Sequence, residues 1–143
     1  MSAKEIKALE RHAFEEWNKG KAATMTKIDE IFATNVVFHS STEKDIYGLK
    51  EYKQYFSALY DAFPDIHWTL DDMVAEGEKV ALRYTMTGTH KGEFMGIPST
   101  NKKVTFWGIA IDRFVGGKIV EEWARYDTLD FMQQLGAIPK PKK

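Results

Sequence analysis

Apolar side chains recur every three to four residues up to Phe63 and every second residue from Ile66 to about Asp127, so the chain changes period once, at Pro64. In the first stretch, Ser2-Ala3-Lys4-Glu5 has the form of a capping box. Ile6, Leu9, Ala13 and Trp17 follow it at helical spacing, which predicts a helix to about Asn18-Lys19-Gly20. Met25, Ile28, Ile31 and Phe32 predict a second, shorter helix that ends before the β-branched Val36-Val37. Leu49, Tyr52, Phe56, Leu59 and Phe63 predict a third, running from Gly48 until Pro64, whose ring and missing N–H stop it.

Beyond Pro64 the alternation predicts strands. Ile66, Trp68 and Leu70 alternate with His67, Thr69 and Asp71, and Gly77-Glu78 then turns the chain. Val80, Leu82, Tyr84 and Met86 alternate with Ala81, Arg83, Thr85 and Thr87. A glycine-bearing loop, Gly88 to Lys102, leads to Val104–Ile111, which is apolar on both faces and therefore predicted to be a central strand. Gly116-Gly117 signals a hairpin, Lys118–Tyr126 returns as the last strand, and a short helix, Thr128–Gln134, closes the chain with Leu135 and a Gly136 stop. Helices first and a meander of long strands afterwards predict an α+β fold: a cone-shaped, curved, mostly antiparallel sheet with three N-terminal helices packed on its concave face. Trp17, Phe56, Leu59 and Phe63 should be buried toward that sheet.

Composition narrows what such a fold can do. At 143 residues the chain has room for one domain, 1–143, and one substantial core. Its 20 Lys and Arg against 21 Asp and Glu leave a net charge of -1, with no field to gather nucleic acid or anionic lipid. The only basic cluster, Lys140-Pro141-Lys142-Lys143, reads as a solvated tail. With no cysteine there are no disulfides, thiol nucleophiles or thiolate metal sites, and His39, His67 and His90 have none of the spacings of known metal centres. No apolar run approaches the roughly 20 residues that span a bilayer, and no signal-peptide core follows Ser2, so no membrane partner and a cytoplasmic location are expected. Aromatic residues make up 13%, enough to fill a core or to wall a ligand cavity, expected here at about 300 Å³ or more.

Three segments recur together in the order Ala62-Phe63-Pro64-Asp65, then Gly88-Thr89-His90-Lys91-Gly92-Glu93-Phe94-Met95-Gly96-Ile97-Pro98, then Gly117-Lys118-Ile119-Val120-Glu121-Glu122-Trp123 with Asp127 and Gln134-Leu135-Gly136. With them the chain resembles, over roughly residues 4 to 137, the SnoaL-like polyketide cyclases of the nuclear-transport-factor-2-like superfamily. The resemblance implies the cone fold, a homodimer through the sheet, and a cyclase or isomerase that needs no metal or cofactor. It also implies an acid/base Asp near the end of the last long strand, which is Asp127 here, with Trp123 four residues earlier on the same face. Polar pocket residues on the preceding strand, a His among them, belong to the pattern, yet Phe106 to Ile111 holds none. His39, His90, Tyr84 and Arg125 are left to supply a partner.

Several of these positions have two readings. Asp127 stands directly before a helix, where Asp is a favoured N-cap, or it shuttles a proton with a pKa raised by an apolar cavity. His39 is a second catalytic candidate or a hydrogen-bonded core histidine. His90 gates the cavity mouth or is solvated in its loop. Phe56 and Phe63 would wall the cavity from the third helix. Arg83 pairs inside the pocket or sits on an exposed strand face. Of Glu121 and Glu122 at most one can reach the pocket, because they point to opposite faces. Asp65, Asp71 and Asp72 read as turn and edge residues, and His12 and His67 as exposed. Two functions stand ahead of a plain interaction module. One is a cofactor-independent cyclase or isomerase acting on a small hydrophobic carbonyl compound; the other is a non-catalytic carrier or sensor of a small hydrophobic molecule.

Overall fold

The computed structural model describes residues 1–41 and 44–141, so Lys142 and Lys143 of the basic tail lie outside the described residues. Helix α1 spans Ala3–Trp17 and its capping box is complete: Ser2 Oγ accepts the Glu5 N–H at 3.1 Å and Glu5 Oε1 accepts the Ser2 N–H at 3.1 Å. Helix α2 (Lys21–Ile31) starts a turn earlier than its apolar spacing suggests and passes directly into strand β1 (Phe32–His39), so Phe32 is strand rather than helix. A two-residue strand β2 (Ile46–Tyr47) precedes α3 (Leu49–Ala62), which ends before Pro64. Strands β3 (His67–Glu76), β4 (Lys79–Thr89), β5 (Lys103–Val115) and β6 (Lys118–Tyr126) follow, and α4 (Thr128–Leu135) stops at Gly136, whose φ of 80° only glycine adopts freely.

The strand order is β2-β1-β6-β5-β4-β3, antiparallel throughout except for the parallel pair β1–β6. This is the expected α+β architecture, with α4 as a fourth helix. One irregularity decides where side chains point. On β6, Glu121 pairs with Arg113 and Ile119 with Phe114, so Val120 is an extra residue, a β-bulge. The inward row of β6 therefore runs Ile119, Glu122, Ala124, Tyr126, while Glu121, Trp123 and Arg125 face outward.

Two groups of buried side chains fill the interior. One gathers around Phe63, Met86, Phe106 and Phe131, the other around Ile6, Ile28, Val36, Phe38 and Ile119, and Phe56, Met73 and Ala124 pack against both. Leu59 and Phe63 are buried as expected, whereas Trp17 and Phe56 are half-buried because they border a cavity. Strand β5 is central in the sheet, yet only its inner face is covered: Trp107, Ile109 and Ile111 are 59%, 48% and 37% exposed on the outer face. No helix among the described residues is long and apolar enough to cross a membrane.

Candidate functional site

Between the two buried groups lies a cavity of about 110 Å³. Helices α1, α2, α3 and α4 and strands β1, β4, β5 and β6 all contribute to its wall. Rings dominate that wall and pack on one another, with centroids 4.7 Å apart for Tyr52–Phe56, 5.9 Å for Phe38–Phe56 and 4.6 Å for Phe106–Tyr126. This mutual packing makes the space smaller than the roughly 300 Å³ expected of a ligand site. It is not sealed, since Ser40, Ser41, Tyr55 and Tyr126 are half-buried lining residues.

The wall is not wholly apolar. Glu10 from α1, Asp112 from β5 and Glu122 from β6 line it at 3%, 2% and 9% exposure. Glu10 sits on the buried stripe of α1 between Ile6 and Ala13, and Asp112 on the inward row of β5 after Phe106, Gly108 and Ala110. Asp112 stands against both Glu10 and Glu122, and the Tyr52 hydroxyl donates to Glu122 Oε1 at 2.8 Å. Glu10 Oε1 and Asp112 Oδ1 have no hydrogen-bond partner among the described residues, and a bond between any two of these carboxyl groups requires that one of them be protonated. Burial is the main cause that drives all three proton affinities up. Glu10 is pushed to about 7, and Asp112 and Glu122 go well above the carboxylate range, each reinforced by the negative charge of a neighbour. Near neutrality Glu10 therefore stands between its two protonation states, while burial favours the protonated form of Asp112 and of Glu122.

The SnoaL-like polyketide cyclase family matches residues 8–135. The chain belongs to that family. Among solved structures it is similar to AclR of Streptomyces galilaeus, a hydroxylase candidate, at 30% identity, 96% coverage of this chain, 100% of that chain and a TM-score of 0.84. It is also similar to IdmH of Streptomyces antibioticus, a polyketide cyclase candidate, at 26% identity, 91% and 97% coverage and a TM-score of 0.74. TsrD of Streptomyces laurentii, at 23% identity, 96% and 99% coverage and a TM-score of 0.84, shares the fold. No curated protein matches the sequence significantly.

Within this SnoaL-like fold the residues singled out from the sequence fall into three places. Tyr84 and Phe56 line the cavity. Phe63 and His90 stack on each other at 5.4 Å in the core beside it, and His90 Nδ1 bonds Thr100 Oγ1 at 2.9 Å, which ties down the loop after β4. The third group stands on the outer face of the sheet. His39 stacks on Trp123 at 5.4 Å, its ring nitrogens lie 2.9 Å from Asp45 and 2.8 Å from Glu121, and Arg125 donates to the His39 carbonyl at 3.1 Å. The bond to Glu121 is the main cause that raises the His39 pKa; burial opposes it, and the bond to Asp45 adds to the rise. Asp127 is also outside the cavity: its Oδ1 caps α4 by accepting the Asp130 N–H at 2.9 Å, beside a surface groove shared with Arg83, Thr85 and Trp107. Arg83 lies 3.7 Å from Asp71 on that same exposed face. Trp123 and Asp127 do share a side of the sheet, as the four-residue spacing implies, and the bulge at Val120 makes it the outer one. Glu10, Asp112 and Tyr52 carry no motif. Their only signal in the sequence is that a carboxyl group or a phenol occupies a position the apolar spacing marks as inward.

Proposed function

We propose that this SnoaL-like protein is a cofactor-independent cyclase or isomerase that moves a proton on a small hydrophobic carbonyl compound, with Asp112 as the pocket acid/base. One observation carries the reading: three buried carboxyl groups from three separate elements line one ring-walled cavity, with no cation beside them among the described residues of its wall. In the form of the cluster that carries its negative charge on Asp112 and keeps Glu10 and Glu122 protonated, the Asp112 carboxylate takes the proton from a carbon next to a carbonyl, and the C–H electron pair moves onto the carbonyl oxygen as an enolate. In an isomerisation the proton returns at another carbon. In a cyclisation the enolate carbon attacks a second carbonyl of the same molecule, a C–C bond forms, and the resulting alkoxide recovers the proton from Asp112. Polyketide cyclisation, the activity attached to IdmH by name, needs no more than this proton transfer. Glu10 and Glu122 support it by keeping their protons. Among the described residues no Lys, Arg or His lines the cavity, which favours an uncharged ketone or ester over a carboxylate. We further read the exposed outer stripe of Trp107, Ile109 and Ile111 as the contact of a homodimer.

Deuterium wash-in from heavy water into 2-indanone, followed by proton NMR, tests the proton transfer without requiring the natural substrate. Wild-type protein should catalyse it, and Asp112→Asn should slow it about 100-fold or more while the fold persists. Asp127→Asn should match wild type. Equal rates for Asp112→Asn and wild type would exclude the role. Binding of 2-indanone without any exchange would favour the carrier reading. Trp107→Lys should leave a folded monomer if the stripe is the dimer contact, and an unchanged mass by light scattering would remove that assignment.

A further inference from the structure

The proton transfer described above creates negative charge on a carbonyl oxygen, and a cavity that stabilises it needs a donor aimed at that oxygen. Most phenols of the interior are engaged with protein. Tyr52 donates to Glu122 at 2.8 Å, and Tyr60 donates to the Trp17 carbonyl at 2.8 Å while accepting from Trp68 Nε1 at 3.1 Å. Tyr84 differs. The residue is 8% exposed and lines the cavity, its ring packs edge-on against Trp68 at 5.6 Å, and among the described residues its hydroxyl makes no hydrogen bond.

The neighbouring strand is shaped around that hydroxyl. Gly108 is the register partner of Tyr84 on one side and of Tyr126 on the other. Its φ is not positive, so the backbone conformation does not call for glycine, and a glycine weakens a strand interior. The contacts give the reason. A Cβ at this position would stand 2.5 Å from Tyr84 Oη, 2.7 Å from Tyr84 Cζ and 2.7 Å from the Arg125 carbonyl oxygen. The phenol therefore lies across the β5 backbone in space that any other residue would fill. Burial, then the charge of Glu122 and more weakly that of Asp112, pushes the Tyr84 pKa up, so the hydroxyl keeps its proton and is available to donate.

We propose that Tyr84 is the catalytic donor that binds the substrate's carbonyl oxygen and stabilises the enolate, and that Gly108 is the positioning residue that leaves room for it. This rests on the cavity being the site of proton transfer. It assigns the second half of the chemistry: Asp112 takes the proton from carbon while Tyr84, 28 positions earlier in the chain and on the adjacent strand, holds the oxygen.

Two measurements on the full chain test it. In the 2-indanone exchange assay Tyr84→Phe should lower kcat between tenfold and a thousandfold with KM changed less than threefold, because the bond strengthens as charge develops. In a binding titration with phenol, an uncharged mimic of an enol, Tyr84→Phe should weaken affinity about tenfold while leaving toluene binding unchanged. Gly108→Ala should reproduce the Tyr84→Phe loss, and adding Tyr84→Phe to it should lower the rate no further; if Gly108→Ala does not fold, Tyr84→Phe alone decides. Full exchange activity and undiminished phenol binding in Tyr84→Phe overturn the assignment. Tyr84-dependent phenol binding without any wild-type exchange leaves the donor in place and removes the proton-transfer reading. A wild type that neither exchanges 2-indanone nor binds phenol removes both.

Discussion

Glu121 and Glu122 are consecutive residues with the same side chain, and the sheet sends them to opposite fates. Glu121 faces outward, 2.8 Å from His39 and 3.2 Å from Arg113, and these bonds pull its pKa below the usual carboxylate range. Glu122 faces inward, with only carboxyl and phenol groups for polar company, and burial drives its pKa well above that range. The contrast extends along the sheet. Outside, cations and helix N–H groups compensate acidic residues, as for Asp71 and Asp127; inside, Glu10, Asp112 and Glu122 have no cation beside them among the described residues, and burial favours their protonated forms. A buried acid without a cation is costly to the fold, and a group held at such a cost is a natural place to look for chemistry.

The largest test of this contrast compares the two neighbours directly. Glu122→Gln should slow ketone deuteration about tenfold to a hundredfold, because it removes one carboxyl group of the cluster and changes what stands against Tyr52 and Asp112. Glu121→Gln should leave the rate within twofold. Equal losses would mean that the charge of the sheet as a whole matters, and not the inward cluster. Stability supplies the next effect. Glu10 has a pKa raised from 4.5 to about 7, so between those values the folded chain holds more protons than the unfolded one. Stability contributed by this group is therefore whole below about pH 4.5 and falls as pH rises toward 7. Glu10→Gln removes the titration and should stabilise the protein at pH 8 by about 1–3 kcal/mol relative to its effect at pH 4, read from urea midpoints at both values. No difference between the two pH values would place Glu10 in contact with solvent.

The architecture was legible because the helices and the long strands each carry a sustained period. Strand β2, two residues long, is too short to have one, and the parallel pairing of β1 with β6 joins segments that are some 80 residues apart with nothing local to announce it. The face of β6 was illegible for a more specific reason. Counting by two from the buried Ile119 puts Glu121, Trp123, Arg125 and Asp127 inside, and the single extra residue Val120 reverses every one of them. On β5, where no bulge intervenes before Asp112, counting from Phe106 through Gly108 and Ala110 does reach Asp112 on the inner face. Glu10 was legible in the same way, from its place on the Ile6–Ala13 stripe. What the spacing does not show is that the acid itself matters: Asp112 stands just past the apolar run Val104–Ile111, and Glu10 is a single polar residue inside the Ile6, Leu9, Ala13 rhythm, which it leaves unchanged.

Two smaller effects belong to the outer face. His39, held between Glu121 and Asp45, has a raised pKa, so its contribution is present below about pH 6.5 and is lost as pH rises through the raised value. His39→Ala should cost on the order of 1 kcal/mol at pH 5.5 and less at pH 9, the remainder being the pH-independent stacking on Trp123. A cost that does not change with pH would mean the two carboxylates contribute nothing.

The smallest effect is the most discriminating for Asp127. Its side chain accepts one bond, from the Asp130 N–H at 2.9 Å, and Asn can accept the same bond, so Asp127→Asn should cost only a few tenths of a kcal/mol. Asp127→Ala removes the acceptor and should cost about 1 kcal/mol by thermal melting, with α4 fraying first. Neither should alter ketone deuteration, since the residue is exposed and the cavity wall is formed by other side chains. An Asn variant that melts like wild type yet loses turnover would reverse the contrast between the faces. The chemistry would then lie in the outer groove, where Arg83 and Trp107 stand beside Asp127, and the buried carboxyl cluster would be left as a structural device of the core.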